Sequence, residues 1–224
     1  MSHILTRNFG VGFAHIRAPR PVYTILRISI STLSANPHIK VFKNNPTPGT
    51  NLLTYLDTPN QALSIGTTTA LPPTPNSFSE NPRFLRLLNA VLAESAHNDP
   101  DLIAQARAFA GPGAPVSQPN RSRKKMSGDG GAGGASAQGG AGGGGRGGHV
   151  HLSDSRNPPD FGRIAWPEDI LGSVEVDGSG EIVGRVVPSG TYRVVTNQGI
   201  LGLSPFLREK LIEKLNEEAK RTAA

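Results

Sequence analysis

The residues with the clearest potential for chemistry lie in and beside a glycine-rich tract. Thirteen of the twenty-one residues from 128 to 148 are glycine. A phosphate-binding loop needs Gly-Lys-Ser/Thr between a strand and a helix, and the tract lacks that sequence. RNA-binding arms repeat Arg-Gly-Gly with aromatic residues that stack on bases. Here no Phe, Tyr or Trp lies between Phe109 and Phe161, so the composition predicts a linker.

Basic residues beside and within the tract suggest a second possible role. Their charge is enough for weak, salt-sensitive contact with a polyanion. An RNA- or ribosome-associated protein is therefore the alternative to a plain linker. The residues concerned are Arg121, Arg123, Lys124, Lys125 and Arg146.

Two histidines follow the tract at a spacing that metal sites also use. His149 and His151 would face the same side of an extended chain, with Asp154 nearby. Such a pair beside a glycine tract is more often incidental, so no metal and no cofactor is predicted. The chain has no cysteine, which excludes thiolate zinc sites, iron–sulfur clusters and a cysteine nucleophile.

A second glycine pattern follows a predicted strand. Gly178, Gly180 and Gly184 resemble a dinucleotide-binding loop, but that loop must open a helix whose amides meet the pyrophosphate. The sequence Glu-Ile-Val at 181–183 favours a strand instead. The glycines are therefore predicted to form a hairpin turn.

Two acidic pairs raise the question of acid–base catalysis. Asp177 and Glu181 flank the predicted turn, and Glu168 and Asp169 precede a strand. Paired carboxylates catalyse proton transfer when a pocket raises the pKa of one of them. Acids at strand ends are usually solvated, and no Gly-x-Ser-x-Gly motif is present. No catalytic residue is predicted, and an enzyme of undetected type is the third hypothesis.

The N-terminus has the composition of an organellar address. Residues 1–56 carry six Lys or Arg and no acid, in a chain of net charge +6. Basic, hydroxyl-containing and acid-free segments are typical of transit peptides. Residues 1–50 are therefore predicted to be a presequence that directs the protein to the mitochondrial matrix. Without a functional presequence, a cytoplasmic or nuclear location is expected.

Helix signals occur at three places. Asn81 and Pro82 suit a cap and first turn, Pro100 opens a second helix, and Ser204 with Pro205 opens a third. Apolar residues follow each start at the spacing of one helix face. Three segments rich in β-branched residues, "DILGSVEVD", "EIVGRVV" and "TYRVVTN", predict a three-stranded antiparallel meander.

These signals predict an α+β fold in five segments. After the presequence, residues 51–80 form a Pro/Thr/Ser-rich connector and 81–111 a helical hairpin. Residues 112–148 form a disordered linker, and 149–224 a small α+β domain that contains the meander and a C-terminal amphipathic helix. The N-terminal and glycine-rich segments are expected to be disordered, since the chain has few apolar residues.

Three stretches resemble a family of filamentous-fungal proteins of uncharacterised function. They begin "NPRFLRLLNAVL", "DSRNPPDFGRIAW" and "SGTYRVVTNQGIL". The likeness covers roughly residues 51–224 and is interrupted at the glycine tract. It implies a domain boundary near residue 149 and no particular chemistry.

A non-enzymatic mitochondrial accessory or protein-interaction module is the function that the sequence favours. The helical hairpin or the meander would present apolar side chains to a protein partner. The candidate interaction surface consists of Phe84, Leu88, Phe109, Trp166 and Tyr192. No stretch is long and apolar enough for a transmembrane helix.

Overall fold

The computed structural model describes residues 30–110, 147–160 and 163–223. It contains both helices and antiparallel sheets, and so has the mixed α+β character expected. None of the helices described is both long and apolar enough to cross a membrane.

The first sheet contains five short antiparallel strands in the order β1-β2-β3-β4-β5. Their apolar side chains, such as Val41, Phe42, Leu52 and Leu53, are almost fully buried. The strands are β1 Ile30–Thr32, β2 Lys40–Lys43, β3 Asn51–Thr54, β4 Gly66–Thr68 and β5 Phe78–Glu80.

This sheet overturns two expectations for the N-terminal part. Residues 51–80 are not an unstructured connector, and β1 and β2 lie within the predicted presequence of 1–50. Strands of three or four residues are too short to show clear alternation, and turn residues dominate the composition between them. Residues 1–29 lie outside the described residues.

Three helices begin at the proline positions. α1 is Pro82–Ser95, α2 is Pro100–Ala110 and α3 is Pro205–Ala223. The Asn81 side chain caps α1 by accepting the Arg83 N–H at 3.0 Å. Helices α1 and α2 follow each other along the chain, yet α1 packs chiefly against α3 and β8.

The second sheet has three antiparallel strands in the order β6-β7-β8. They are β6 Gly148–Ser153, β7 Ile170–Val176 and β8 Ile182–Pro188, and a short hairpin of β9 Val195–Thr196 and β10 Gly199–Ile200 follows. The prediction that 191–197 is the third strand of this sheet is wrong, because β6 takes that role. Backbone groups of the 191–197 segment bind instead to Arg156, Glu80 and Glu168.

One hydrophobic core connects the N-terminal part, the three helices and the second sheet. The buried cluster runs from Leu33 in the N-terminal part to Leu215 in α3, and includes residues of both sheets and of all three helices. Phe84 and Leu88 of α1 belong to the same cluster as Leu211 of α3. The predicted domain 149–224 therefore shares its core with residues 30–110.

The two ends of the glycine-rich insertion meet on this core. Residues 111–146 lie outside the described residues, but Phe109 before them packs against Gly148 after them. A Cβ atom at Gly148 would lie 2.7 Å from the Phe109 ring. Phe109 and Gly148 therefore lie side by side, although residues 111–146 separate them along the chain.

Candidate functional site

A cluster of buried charged side chains lies where β6 ends and β7 begins. Asp154 follows β6, and Asp169 precedes β7. Both carboxylates are almost fully buried, at 0% and 1% exposure, and the Arg156 side chain is 3% exposed. Buried charges are costly unless they are paired and hydrogen-bonded.

The Arg156 guanidinium has a partner on each of its three nitrogens. Its Nε donates to Asp169 Oδ1 at 2.8 Å, and its Nη1 and Nη2 donate to the carbonyl oxygens of Val194 and Glu168, both at 2.9 Å. The second Asp169 oxygen accepts the Asn157 amide at 3.0 Å. Arg156 therefore fixes the backbone at residues 168 and 194.

The Asp154 carboxylate is held just as completely. Its Oδ1 accepts the N–H groups of Arg156 and Gly202 at 2.9 and 2.8 Å, and its Oδ2 accepts the Tyr192 hydroxyl at 2.7 Å. A Cβ atom at Gly202 would lie 2.9 Å from the Arg156 backbone nitrogen, so this approach requires glycine.

Burial dominates the electrostatics of this cluster. It raises the pKa of Asp154, although Arg156 and the hydrogen bonds act in the opposite direction. It also raises the pKa of the Tyr192 hydroxyl. The polar groups of the cluster satisfy one another, and Arg156 links the cluster to the backbone of residues 168 and 194.

That surface is a cleft of about 720 Å³. One wall is formed by β5 and the turn before it, and the other by the segments around residues 167 and 190–197. The two walls touch where the Val194 N–H donates to Glu80 Oε1 at 3.1 Å. The lining residues are Pro75, Phe78, Glu80, Pro167, Glu168, Gly190, Thr191, Arg193, Val195, Thr196 and Asn197.

The lining combines apolar rings with polar groups and both signs of charge. Phe78 is half-buried, whereas Glu168 and Arg193 are exposed. The Arg193 N–H donates to the Glu168 carbonyl at 3.1 Å, yet within the described part of the chain neither side chain forms an ion pair. Such a surface suits a ligand with apolar and polar groups in alternation, as a polypeptide has.

The five residues predicted as an interaction surface do not lie together. Phe84 and Leu88 are 0% and 1% exposed within the core, so neither is available to a partner. Phe109 packs against Gly148, and Tyr192 belongs to the buried cluster. Trp166 alone is prominent, at 67% exposure, and directly precedes Pro167 of the cleft.

The Asp154 carboxylate is not available to the two histidines, because its oxygens accept hydrogen bonds from Arg156, Gly202 and Tyr192. His149 is exposed, and His151 Nδ1 lies 2.7 Å from Ser173 Oγ. Burial, followed by the charge of His149, lowers the pKa of His151. Across residues 30–110, 147–160 and 163–223, no group of three or more His, Asp or Glu is arranged to hold a metal ion.

The acidic pairs have separate structural roles. Asp177 lies in the turn between β7 and β8, where Oδ1 accepts the N–H groups of Ser179 and Glu181 at 2.9 Å each. Its hydrogen bond from the Ser179 hydroxyl is the main cause of a lowered pKa. The expectation that Asp169 is solvated is wrong, because Arg156 pairs with it inside the protein.

Sequence patterns missed the cluster and the cleft wall. Asp154 and Arg156 are two residues apart and Asp169 is thirteen residues from Arg156, so no local spacing marks them as partners. The basic residues around 121–125 and at 146 lie outside the described residues. Comparisons with protein-family models, with curated proteins and with solved structures give no match for this chain. A function is therefore inferred from the chemistry of the cleft.

Proposed function

We propose that the chain is a non-enzymatic protein-interaction module that holds a segment of a partner protein in the cleft between β5 and residues 190–197. The observation that carries this proposal is the composition of the cleft walls. Phe78 and Pro75 offer apolar contact, and Thr191, Asn197 and Arg193 offer polar groups and charge. Protein-binding surfaces combine such groups, with aromatic and arginine side chains enriched among them.

The buried cluster supports the same proposal, because it is hydrogen-bonded to the backbone of one cleft wall. Arg156 holds the backbone of both residue 168 and residue 194, and these positions belong to or adjoin one wall of the cleft. A wall that is fixed before binding loses little conformational entropy when a ligand arrives. The charged network thereby prepares the cleft for a ligand.

Selection from a random heptapeptide library displayed on phage tests this function. The whole chain is the bait, and the affinity of a selected peptide is then measured by calorimetry. Gly190→Trp fills the cleft, and a Cβ atom at Gly190 meets nothing within 4 Å, so the fold should accept it. Asn216→Trp, on the exposed face of α3, is the matched control.

We expect Gly190→Trp to weaken peptide binding at least tenfold and Asn216→Trp to leave the affinity unchanged. Trp166 is the single tryptophan of the wild-type chain and lies next to Pro167 of the cleft, so its fluorescence should change on binding. Failure to select any peptide, or equal affinity for wild type and Gly190→Trp, would contradict the proposal.

A mitochondrial location remains part of the proposed function. Four arginines lie within residues 1–29, and no acid does. Residues 30–43 already contribute β1 and β2 to the fold, so the address is proposed to lie within 1–29. A fluorescent protein that carries residues 1–29 should enter mitochondria, and a diffuse cytosolic signal would refute this.

A further inference from the structure

Among the residues that the structure describes, β5 is an edge strand of the five-stranded sheet and pairs only with β4. Its other edge lines the cleft. In an antiparallel ladder, alternate residues direct their backbone groups toward the neighbouring strand. The Asn81 N–H donates to the Ile65 carbonyl at 3.1 Å, and this bond shows which residues of β5 are hydrogen-bonded to β4. Ser79 therefore faces β4, whereas Phe78 and Glu80 direct their backbone groups away from it.

The same two residues are the ones from β5 that line the cleft. The Phe78 N–H donates to the Thr74 carbonyl at 3.0 Å, which leaves the Phe78 carbonyl and the Glu80 N–H directed at the open edge. An acceptor and a donor at this spacing complement the backbone of an extended polypeptide.

The cleft beside this edge has a volume of about 720 Å³, and this is the space that such a strand would enter. Neighbouring strands lie about 4.8 Å apart, and β5 does not pair directly with the segment 193–197. The Glu80 side chain accepts the Val194 N–H at 3.1 Å, whereas the Glu80 backbone N–H is directed away from β4.

We propose that the partner segment binds as an added β-strand along β5, with its backbone hydrogen-bonded to the Phe78 carbonyl and the Glu80 N–H. This inference rests on the proposed function of the cleft and specifies its ligand as an extended peptide. Backbone pairing supplies affinity, and alternate side chains of the peptide face the cleft lining at Phe78.

Proline at position 80 tests the backbone contact. Glu80→Pro removes an N–H that the β4–β5 ladder does not use, and proline is tolerated at such edge positions. Glu80→Ala is the matched control, because it also removes the bond to Val194 but keeps the N–H. A selected heptapeptide should bind Glu80→Pro about tenfold more weakly than Glu80→Ala, the effect of one backbone hydrogen bond.

Hydrogen exchange on the wild-type chain gives a second measurement that does not depend on the folding of the proline variant. Saturation with the selected peptide should slow exchange of the Glu80 amide, while the Ser79 amide, which faces β4, serves as the internal reference. Equal affinity of the two Glu80 variants, or an unprotected Glu80 amide at saturation, overturns strand addition. If strand addition is overturned but Gly190→Trp still weakens peptide binding, the proposed role of the cleft in peptide binding stands. If Gly190→Trp binds the peptide as wild type does, that proposed role fails as well.

Discussion

Replacing Arg156 with alanine should reveal how strongly the buried cluster stabilises the fold. The change removes hydrogen bonds to the Asp169 carboxylate and to the carbonyl oxygens of Glu168 and Val194. It also leaves Asp154 and Asp169 buried without a cation. Breaking a buried ion pair from one side costs about 3–5 kcal/mol, a large share of the roughly 5–15 kcal/mol that stabilises a typical domain.

The free energy of unfolding is best measured by urea titration followed by circular dichroism, because Trp166 is too exposed to report on the core. Arg163→Ala removes an arginine from an exposed position and is the matched control, with an expected effect within about 0.5 kcal/mol. The two measurements separate the loss of the cluster from the loss of one positive charge.

The pH dependence of the stability of Arg156→Ala tests the same account, because the account predicts the direction of the change. Without Arg156, the burial that raises the pKa of Asp154 is no longer opposed by a nearby cation, so the folded variant holds a proton that the unfolded chain releases. Stability of the variant should then fall as pH rises. We expect a smaller deficit near pH 4.5 than near pH 7.5. A loss below about 1 kcal/mol at neutral pH, or an equal deficit at both values, would refute this account of the cluster.

Three further changes test other parts of the fold. Asp99 caps α2 and accepts a hydrogen bond from the Ser204 hydroxyl at the start of α3. Burial raises the pKa of Asp99, so the free energy of unfolding should fall as pH rises through that raised pKa. Asp99→Asn should flatten this pH profile, and a slope equal to that of wild type would contradict the role given to Asp99. Gly180→Ala places a Cβ atom 2.9 Å from the α2 backbone at a φ of +84° and should lower the free energy of unfolding by at least about 2 kcal/mol. Gly184→Ala is the control, because Gly184 has a similar φ but no neighbouring atom within 4 Å, and it should cost roughly 1 kcal/mol. Equal thermal midpoints of the two variants would show that α2 does not pack against Gly180. Removing residues 1–29 should preserve cooperative thermal unfolding, whereas removing residues 1–50 deletes β1 and β2 and should abolish it. Cooperative unfolding of the chain that lacks residues 1–50 would contradict the five-stranded sheet.

The helix starts could be predicted because their signals are local. An asparagine, aspartate or serine side chain followed by proline marks each start, and the side chain of Asn81 binds the N–H of Arg83 as such caps do. The burial of Leu207 and Leu211 in α3 likewise follows from their spacing on one face.

The cluster and the cleft could not be predicted because their contacts are distant along the chain. Asp154 meets Tyr192 and Gly202, which lie 38 and 48 residues away. Each of these residues has an ordinary local context, so only the folded arrangement shows that they meet. The third strand of the second sheet was misplaced for a related reason, since residues 191–197 have strand-like composition but bind to side chains of the cluster.

A crystal structure of the whole chain with a selected heptapeptide tests the central claim most directly. The account predicts an extended peptide in the cleft, with one backbone N–H within hydrogen-bond distance of the Phe78 carbonyl oxygen and one backbone carbonyl oxygen within the same reach of the Glu80 N–H. A peptide bound elsewhere, for example on the exposed face of β6-β7-β8, would contradict it.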